Sequence, residues 1–272
     1  MAMRCGALVA AAVSGIFGLI VTSVFAAGPE GKVARLDPRK AIEQSEQAVG
    51  RSLGNYRLID STGASISLRD YRGKPLIISL VYTACSSVCP PTTQHLINAV
   101  DEAARALGPQ SFNVLTVGFD ARNDTPGRLA QFASAQGVKF RNWRLASADQ
   151  ATIEALLRDL GFSYIAIAGG FDHVTQTTIV DRDGKIYRSV YGDDFPLPMF
   201  IEPLKDIVYG VSSSYSFAGI VDRIKFICTI YDPGAGRYRI DYGLAFGSVI
   251  AALSLLIFGG ILYREWSRTG HA

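Results

Sequence analysis

Between Pro75 and the first pair of cysteines the chain reads Leu76-Ile77-Ile78-Ser79-Leu80-Val81-Tyr82, an apolar run with no alternation. Such a run suits a strand buried on both faces of a parallel sheet. Upstream, Tyr56–Asp60 and Ala64–Leu68 alternate apolar and polar positions around Ser61-Thr62-Gly63, which predicts a hairpin. Downstream the period lengthens. Leu96, Ile97, Val100, Ala103, Ala104 and Leu107 recur at helical spacing behind Pro90 and Pro91, which fit a first helical turn because no N–H partner is needed there. Gly108-Pro109 ends that helix. The pattern then predicts a strand over Asn113–Phe119 and helices over Pro126–Gln136 and Ile153–Leu160. Strands follow over Tyr164–Ala168, Thr177–Val180 and Ile186–Val190, the last two joined at Asp183-Gly184, before a helix over Pro198–Val211. The order is hairpin, β-α-β-α, helix, hairpin, helix. This is an α/β pattern of thioredoxin-like type with an N-terminal β-hairpin extension and an insertion, expected over residues 51–211. Residues 27–50 are polar, carry Gly28-Pro29 and Asp37-Pro38, and read as a linker ending in a short helical stretch.

Both ends differ from this middle. Arg4 precedes Gly6–Val21, which carries no charge, and Val24-Phe25-Ala26 offers small residues where a signal peptidase reads. Residues 1–26 are expected to be an export signal cut near Ala26 or Ala27, with an uncleaved anchor as the alternative. Leu244–Leu262 is nineteen residues without a charge, and at 1.5 Å per residue it spans about 28 Å, close to a hydrocarbon core. A C-terminal transmembrane helix is expected over 241–263. Residues 264–272 would form a cytoplasmic tail, with the domain on the exported, periplasmic or equivalent, side. In the juxtamembrane segment 212–240, Phe217, Ile220, Val221, Ile224 and Ile227 repeat at helical spacing. A chain of 272 residues with 49% apolar content accommodates one full domain plus such segments. Its formal charge of +3, with no basic stripe interleaved by aromatics, excludes nucleic acid as a partner class.

The chemistry gathers at Cys85-Ser86-Ser87-Val88-Cys89-Pro90, between a buried strand and a helix N-terminus. There the helix dipole and free N–H groups favour a thiolate, the form that binds metal or attacks a disulfide. A spacing of four lets both sulfurs leave one turn outward, which suits two ligands on one small ion. A plain disulfide of an oxidising compartment, or a redox pair, stays open as an alternative. His173 lies in Gly169-Gly170-Phe171-Asp172-His173, expected as a flexible loop that the fold sets opposite the cysteines. Two thiolates with an imidazole match the preference of Cu(I) for soft, low-coordinate sites. No proline occurs between Pro126 and Pro196, and Gln176 stands where thioredoxin-type reductases carry a cis-proline. That weighs against a general disulfide-exchange enzyme. Cys5 would leave with the signal, and Cys228 would be the one odd thiol of the exported chain. His95 reads as a helix-surface histidine, His271 as an inert tail residue, and Asn123-Asp124-Thr125 as a chance match to a glycosylation acceptor.

On Gly73-Lys74-Pro75, the Cys85–Pro90 motif, Asp120–Pro126, and Asp172-His173 followed by Asp181-Arg-Asp-Gly184, the sequence resembles the Sco/SenC family of copper proteins that help assemble cytochrome c oxidase. The resemblance runs from about Tyr56 to Tyr209. It implies Cys85, Cys89 and His173 as ligands for Cu(I) or Cu(II). It further implies delivery of copper to the CuA centre of cytochrome c oxidase subunit II, or reduction of the cysteines that receive it, with a thiol reductant protein as a further partner. An enzymatic role, if there is one, would be that of a thiol-disulfide oxidoreductase on Cys85 and Cys89. Where many members carry Asp-Pro-Glu-Arg-Asp-Thr, this chain has Ala121 and Asn123, which leaves open what Asp120 and Asp124 do. Cys228 followed by Tyr231-Asp-Pro-Gly-Ala-Gly-Arg-Tyr238 matches a pattern of some longer members.

Overall fold

The apolar run after Pro75 forms β3 (Leu76–Val81), an interior strand of a seven-stranded sheet. Leu76, Ile77 and Ile78 are each no more than 3% exposed, and burying such side chains stabilises the fold by about 2 kcal/mol apiece. β3 pairs in parallel with β4 (Asn113–Gly118) and antiparallel with β8 (Gln176–Val180). β4 pairs in parallel with β5 (Trp143–Ser147). The expected N-terminal hairpin is β1 (Arg57–Asp60) and β2 (Ser65–Ser67), added to one side of the sheet where β1 runs antiparallel to β5. β9 (Ile186–Tyr191) closes the other side, so the order is β2-β1-β5-β4-β3-β8-β9. Two buried hydroxyls inside the sheet satisfy each other: Ser79 Oγ and Thr116 Oγ1 are 2.7 Å apart, and Trp143 Nε1 donates to Thr116 Oγ1 at 2.9 Å. Neither is left without a partner, which would cost more than the bond contributes.

This computed structural model describes residues 35–210, 229–232, 237–240 and 242–269. The expected signal (1–26), Cys5, Cys228, the apolar repeat from Phe217 to Ile227 and His271 lie outside the described residues. Residues 34–272 make one compact unit. Within it, the short helical stretch foreseen before the domain is α1 (Pro38–Glu46), capped by Asp37. It is tied down at long range: Ser163 Oγ donates to Gln44 Oε1 (2.7 Å) and Tyr191 Oη to Glu46 Oε1 (2.8 Å). The remaining helices are α2 (Cys89–Leu107), α3 (Pro126–Gln136), α4 (Gln150–Asp159) and α5 (Leu197–Tyr209). β6 (Tyr164–Ile167) and β7 (Gly170–His173) form a separate two-stranded ribbon.

Past α5 the chain returns as a second ribbon, β10 (Thr229–Asp232) and β11 (Arg237–Ile240), with Tyr231 opposite Tyr238. Tyr238 is 7% exposed and donates to Glu202 Oε1 on α5 at 2.9 Å, while Lys205 Nζ donates to the Thr229 carbonyl. Tyr242–Thr269 is a single helix, α6, of 28 residues. Its side chains are described without a break only over Ile250–Leu262, and all of these are exposed. Among the described residues no helix is long and apolar enough to cross a membrane. The spanning role expected for residues 241–263 therefore rests on the sequence.

Candidate functional site

β3 ends at Val81, and the chain turns through Tyr82-Thr83-Ala84 into Cys85 before α2 begins at Cys89. Val88 precedes α2 and supplies no side-chain cap, and Pro90 and Pro91 have no N–H to offer. The sulfur of Cys85 fills the vacant role, accepting the Cys89 N–H at 3.2 Å. Both cysteines are buried free thiols.

Burial alone would push both thiols up, and the two respond in opposite ways. Around Cys85 it is outweighed by hydrogen bonds from the Cys89 thiol, the backbone N–H groups of Cys89 and Ser87, and the Tyr82 hydroxyl, so its pKa is drawn down to about 7. Cys89 is pushed up to about 12, first by burial and then because its proton is held against the Cys85 sulfur. Of the pair, Cys85 is the one that gives up its proton more readily and Cys89 the one that keeps it.

His173 is the last residue of β7, paired with Tyr164 across the ribbon. The flexible loop expected there is a strand instead, because β6 supplies a register partner for each residue from Gly170 to His173. Its imidazole packs against Phe119 (ring centroids 5.4 Å), Phe162 (5.5 Å) and Tyr82 (6.1 Å). Burial lowers its pKa and keeps it neutral. Nδ1 lies 3.2 Å from the Val174 carbonyl. A carbonyl only accepts, so the proton sits on Nδ1 and Nε2 presents its lone pair. Asp172 accepts the Leu36 N–H at 3.0 Å and so ties the segment before α1 to the same ribbon.

Cys89 and His173 line one small cavity, together with Val88, Thr92 and Gln176. The approach is not a closed cage: among the described residues no group of three or more His, Cys, Asp and Glu is drawn together tightly enough to hold a metal. Gln176, in the position of the absent proline, is buried and donates to the Leu160 carbonyl at 3.1 Å. A larger cleft of about 600 Å³ opens beside the cysteine loop, between Tyr82, Phe119 and Phe171 and the charged Asp120, Arg122 and Glu154.

The sequence leaves open what Asp124 does, and the structure answers it. Its carboxylate is 1% exposed and accepts from the Thr83 N–H (2.7 Å), the Thr83 hydroxyl (2.7 Å) and the Asp120 N–H (2.9 Å), fixing the loop that leads to Cys85. Gly118 makes the approach possible, since a Cβ there would lie 2.5 Å from Asp124 Cβ. Asn123 and Thr125 serve the same turn, one donating to Asp120 Oδ2 and the other capping α3. His95 contacts the Phe195 carbonyl and Asp194, as expected of a histidine on a helix surface.

A family model described as SCO1/SenC matches residues 44–207. The SCO1 protein homolog of Bacillus subtilis is 26% identical over 178 residues, covering 63% of this chain and 87% of that protein. Protein SenC of Rhodobacter capsulatus is 27% identical over 148 residues, covering 53% and 63%. Among solved structures, BsSco, a member of the Sco family of cytochrome c oxidase assembly proteins in which a disulfide switch was identified, superposes with a TM-score of 0.53 at 22% identity. It covers 58% of this chain and 94% of its own, and shares the fold.

Proposed function

The chain belongs to the SCO1/SenC family, and from that premise we propose that it is a membrane-tethered copper metallochaperone that helps assemble the CuA centre of cytochrome c oxidase subunit II. The observation that carries this reading is the placement of Cys85 and Cys89 together at the start of α2, with Cys89 and His173 lining one cavity. Two sulfurs and a neutral imidazole with a free Nε2 make a soft, low-coordinate donor set that fits Cu(I), and the imidazole also admits Cu(II). Copper is the cargo: Cys85, Cys89 and His173 hold it, and Asp124 keeps the cysteine loop in place. Solved Sco proteins of Bradyrhizobium japonicum and Arabidopsis thaliana are described with copper bound. A strain carrying Cys85→Ser at normal protein level should lose CuA from subunit II while retaining the haem of the oxidase. Undiminished CuA in that strain would overturn the reading.

The split between Cys85 near 7 and Cys89 near 12 favours a second role on the same residues. One cysteine is an attacking thiolate and the other a protonated resolving partner, the division of labour of a thiol-disulfide reductase. Acting on the cysteines of the oxidase copper site, such a reductase would itself be recharged by a thiol reductant protein.

The tether we propose is the helix over residues 241–263, with the domain on the exported side and residues 264–272 in the cytoplasm. Leu253, Leu255, Leu256, Ile257 and Phe258 are each at least 53% exposed, so apolar side chains cover every face of this part of α6. Lipid is the solvent that such a surface needs.

A further inference from the structure

The cysteine loop leaves one end of β3, and the opposite end of the sheet carries a basic face. Lys74 stands just before β3, and Lys139 and Arg141 just before β5. Parallel pairing sets these ends side by side: the Asn113 N–H donates to the Pro75 carbonyl at 2.9 Å and the Val114 N–H to the Asn142 carbonyl at 2.8 Å. A hollow of about 340 Å³ lies there, lined by Tyr71, Asn113, Arg141 and Arg144 among others. Lys74, Lys139, Arg141 and Arg144 are all exposed. Of the acids nearby, Asp60 is 5% exposed behind Arg144, and Asp70 accepts the Ser67 N–H. Asp181 and Asp183 share the turn between β8 and β9 with Arg182 and Lys185. The chain leaves the domain for α6 at this same end. β11 runs from Tyr238, bonded to Glu202, to Ile240, paired with Thr229, whose carbonyl Lys205 holds, so it advances toward the C-terminal end of α5. That end adjoins the basic face: Arg182 Nη2 donates to the Val208 carbonyl at 2.8 Å, and the Arg182 carbonyl accepts the Gly73 N–H at 2.9 Å. α6 then starts at Tyr242.

We propose that this basic face rests on the headgroups of anionic phospholipids in the membrane that holds α6, with a lipid phosphate entering the hollow at Arg141 and Arg144. The proposal rests on the tether described above. Charge complementarity selects the partner, and the tether keeps the bilayer at high effective concentration beside the face. β3 has six residues, so at 3.3 Å each it holds the cysteine loop about 20 Å above the headgroups. The site is then open to a partner that projects from the same bilayer.

The test reconstitutes the full chain in nanodiscs of phosphatidylcholine, with or without phosphatidylglycerol, and follows amide exchange over residues 72–74 and 138–142. Exchange there should slow only in discs that contain phosphatidylglycerol, and the protection should fade as salt is raised. Lys139→Gln combined with Arg141→Gln, on two exposed side chains, should lower the ratio of docked to free domain about thirtyfold. Lys139→Arg combined with Arg141→Lys should keep it. Equal exchange in both kinds of disc, or undiminished protection in the double glutamine variant, would overturn the proposal. Equal protection by inorganic phosphate in discs of phosphatidylcholine alone would make the hollow a small-anion site and overturn the membrane assignment. Flotation with phosphatidylcholine vesicles reports the tether by itself. A chain that floats only with phosphatidylglycerol present, and is released by salt, would remove the tether and leave the basic face standing.

Discussion

The Cys85 sulfur accepts the backbone N–H of Cys89 at 3.2 Å and thereby caps a helix that has no side-chain cap of its own. One atom is thus both a structural cap and the reactive thiolate. Whatever removes its charge also removes the best acceptor for the first turn of α2.

The first consequence is kinetic. Alkylation by iodoacetamide should titrate at Cys85 with a midpoint near 7, against 9 for an ordinary thiol, while Cys89 stays unreactive until far higher pH. Peptide mapping of the labelled chain separates the two sites. Equal labelling of both at pH 7.5 would refute this division between the two thiols.

Asp124 offers a test of the loop. Asp124→Ala removes the acceptor of three part-buried donors, the backbone N–H groups of Thr83 and Asp120 and the Thr83 hydroxyl. It should lower stability by about 3 kcal/mol. Labelling of Cys89 should quicken at the same time, as the loop loosens. Denaturant unfolding of the two proteins at one pH measures the first effect, and an unchanged midpoint would show that the loop is held by other means.

Acid should act through His173. Its folded pKa lies below the ordinary 6.5 because it is buried. Between those values the unfolded chain binds a proton that the native state does not, so stability falls as pH drops below 6.5 and this contribution is complete above it. His173→Gln should flatten that part of the stability profile between pH 7 and pH 5. A slope identical to wild type would mean that His173 titrates freely in the fold.

Topology supplies another expectation. A reporter fused after Ala272 should be active only in the cytoplasm, and one fused at Tyr209 only on the exported side. Activity of both on one side would show that residues 241–263 do not span.

Much of the fold is legible locally. β3 and α2 announce themselves by uninterrupted apolar character and by helical period, and the cysteine motif falls at their junction. The errors arise where distant contacts decide. Gly169-Gly170 read as a loop, yet Gly169 (φ 86°) only turns the chain between β6 and β7, and the pairing that makes His173 part of a strand comes from Tyr164. α1 is the helical stretch expected at the end of the polar segment, but its attachment to the domain through Ser163 and Tyr191, more than a hundred residues away, has no local signal. The ribbon of Tyr231 and Tyr238 was hidden for the same reason, since its anchor is Glu202 on α5. Asp124 acquires its role only when the cysteine loop and the turn after β4 are brought together.

The most direct measurement is anaerobic loading of the reduced full chain with Cu(I), counting bound metal in wild type, Cys85→Ser and His173→Ala. The donor set calls for one copper per wild-type chain, none held tightly by Cys85→Ser, and weakened binding with an altered spectrum in His173→Ala. Equal copper affinity in wild type and Cys85→Ser would contradict the assignment of the site.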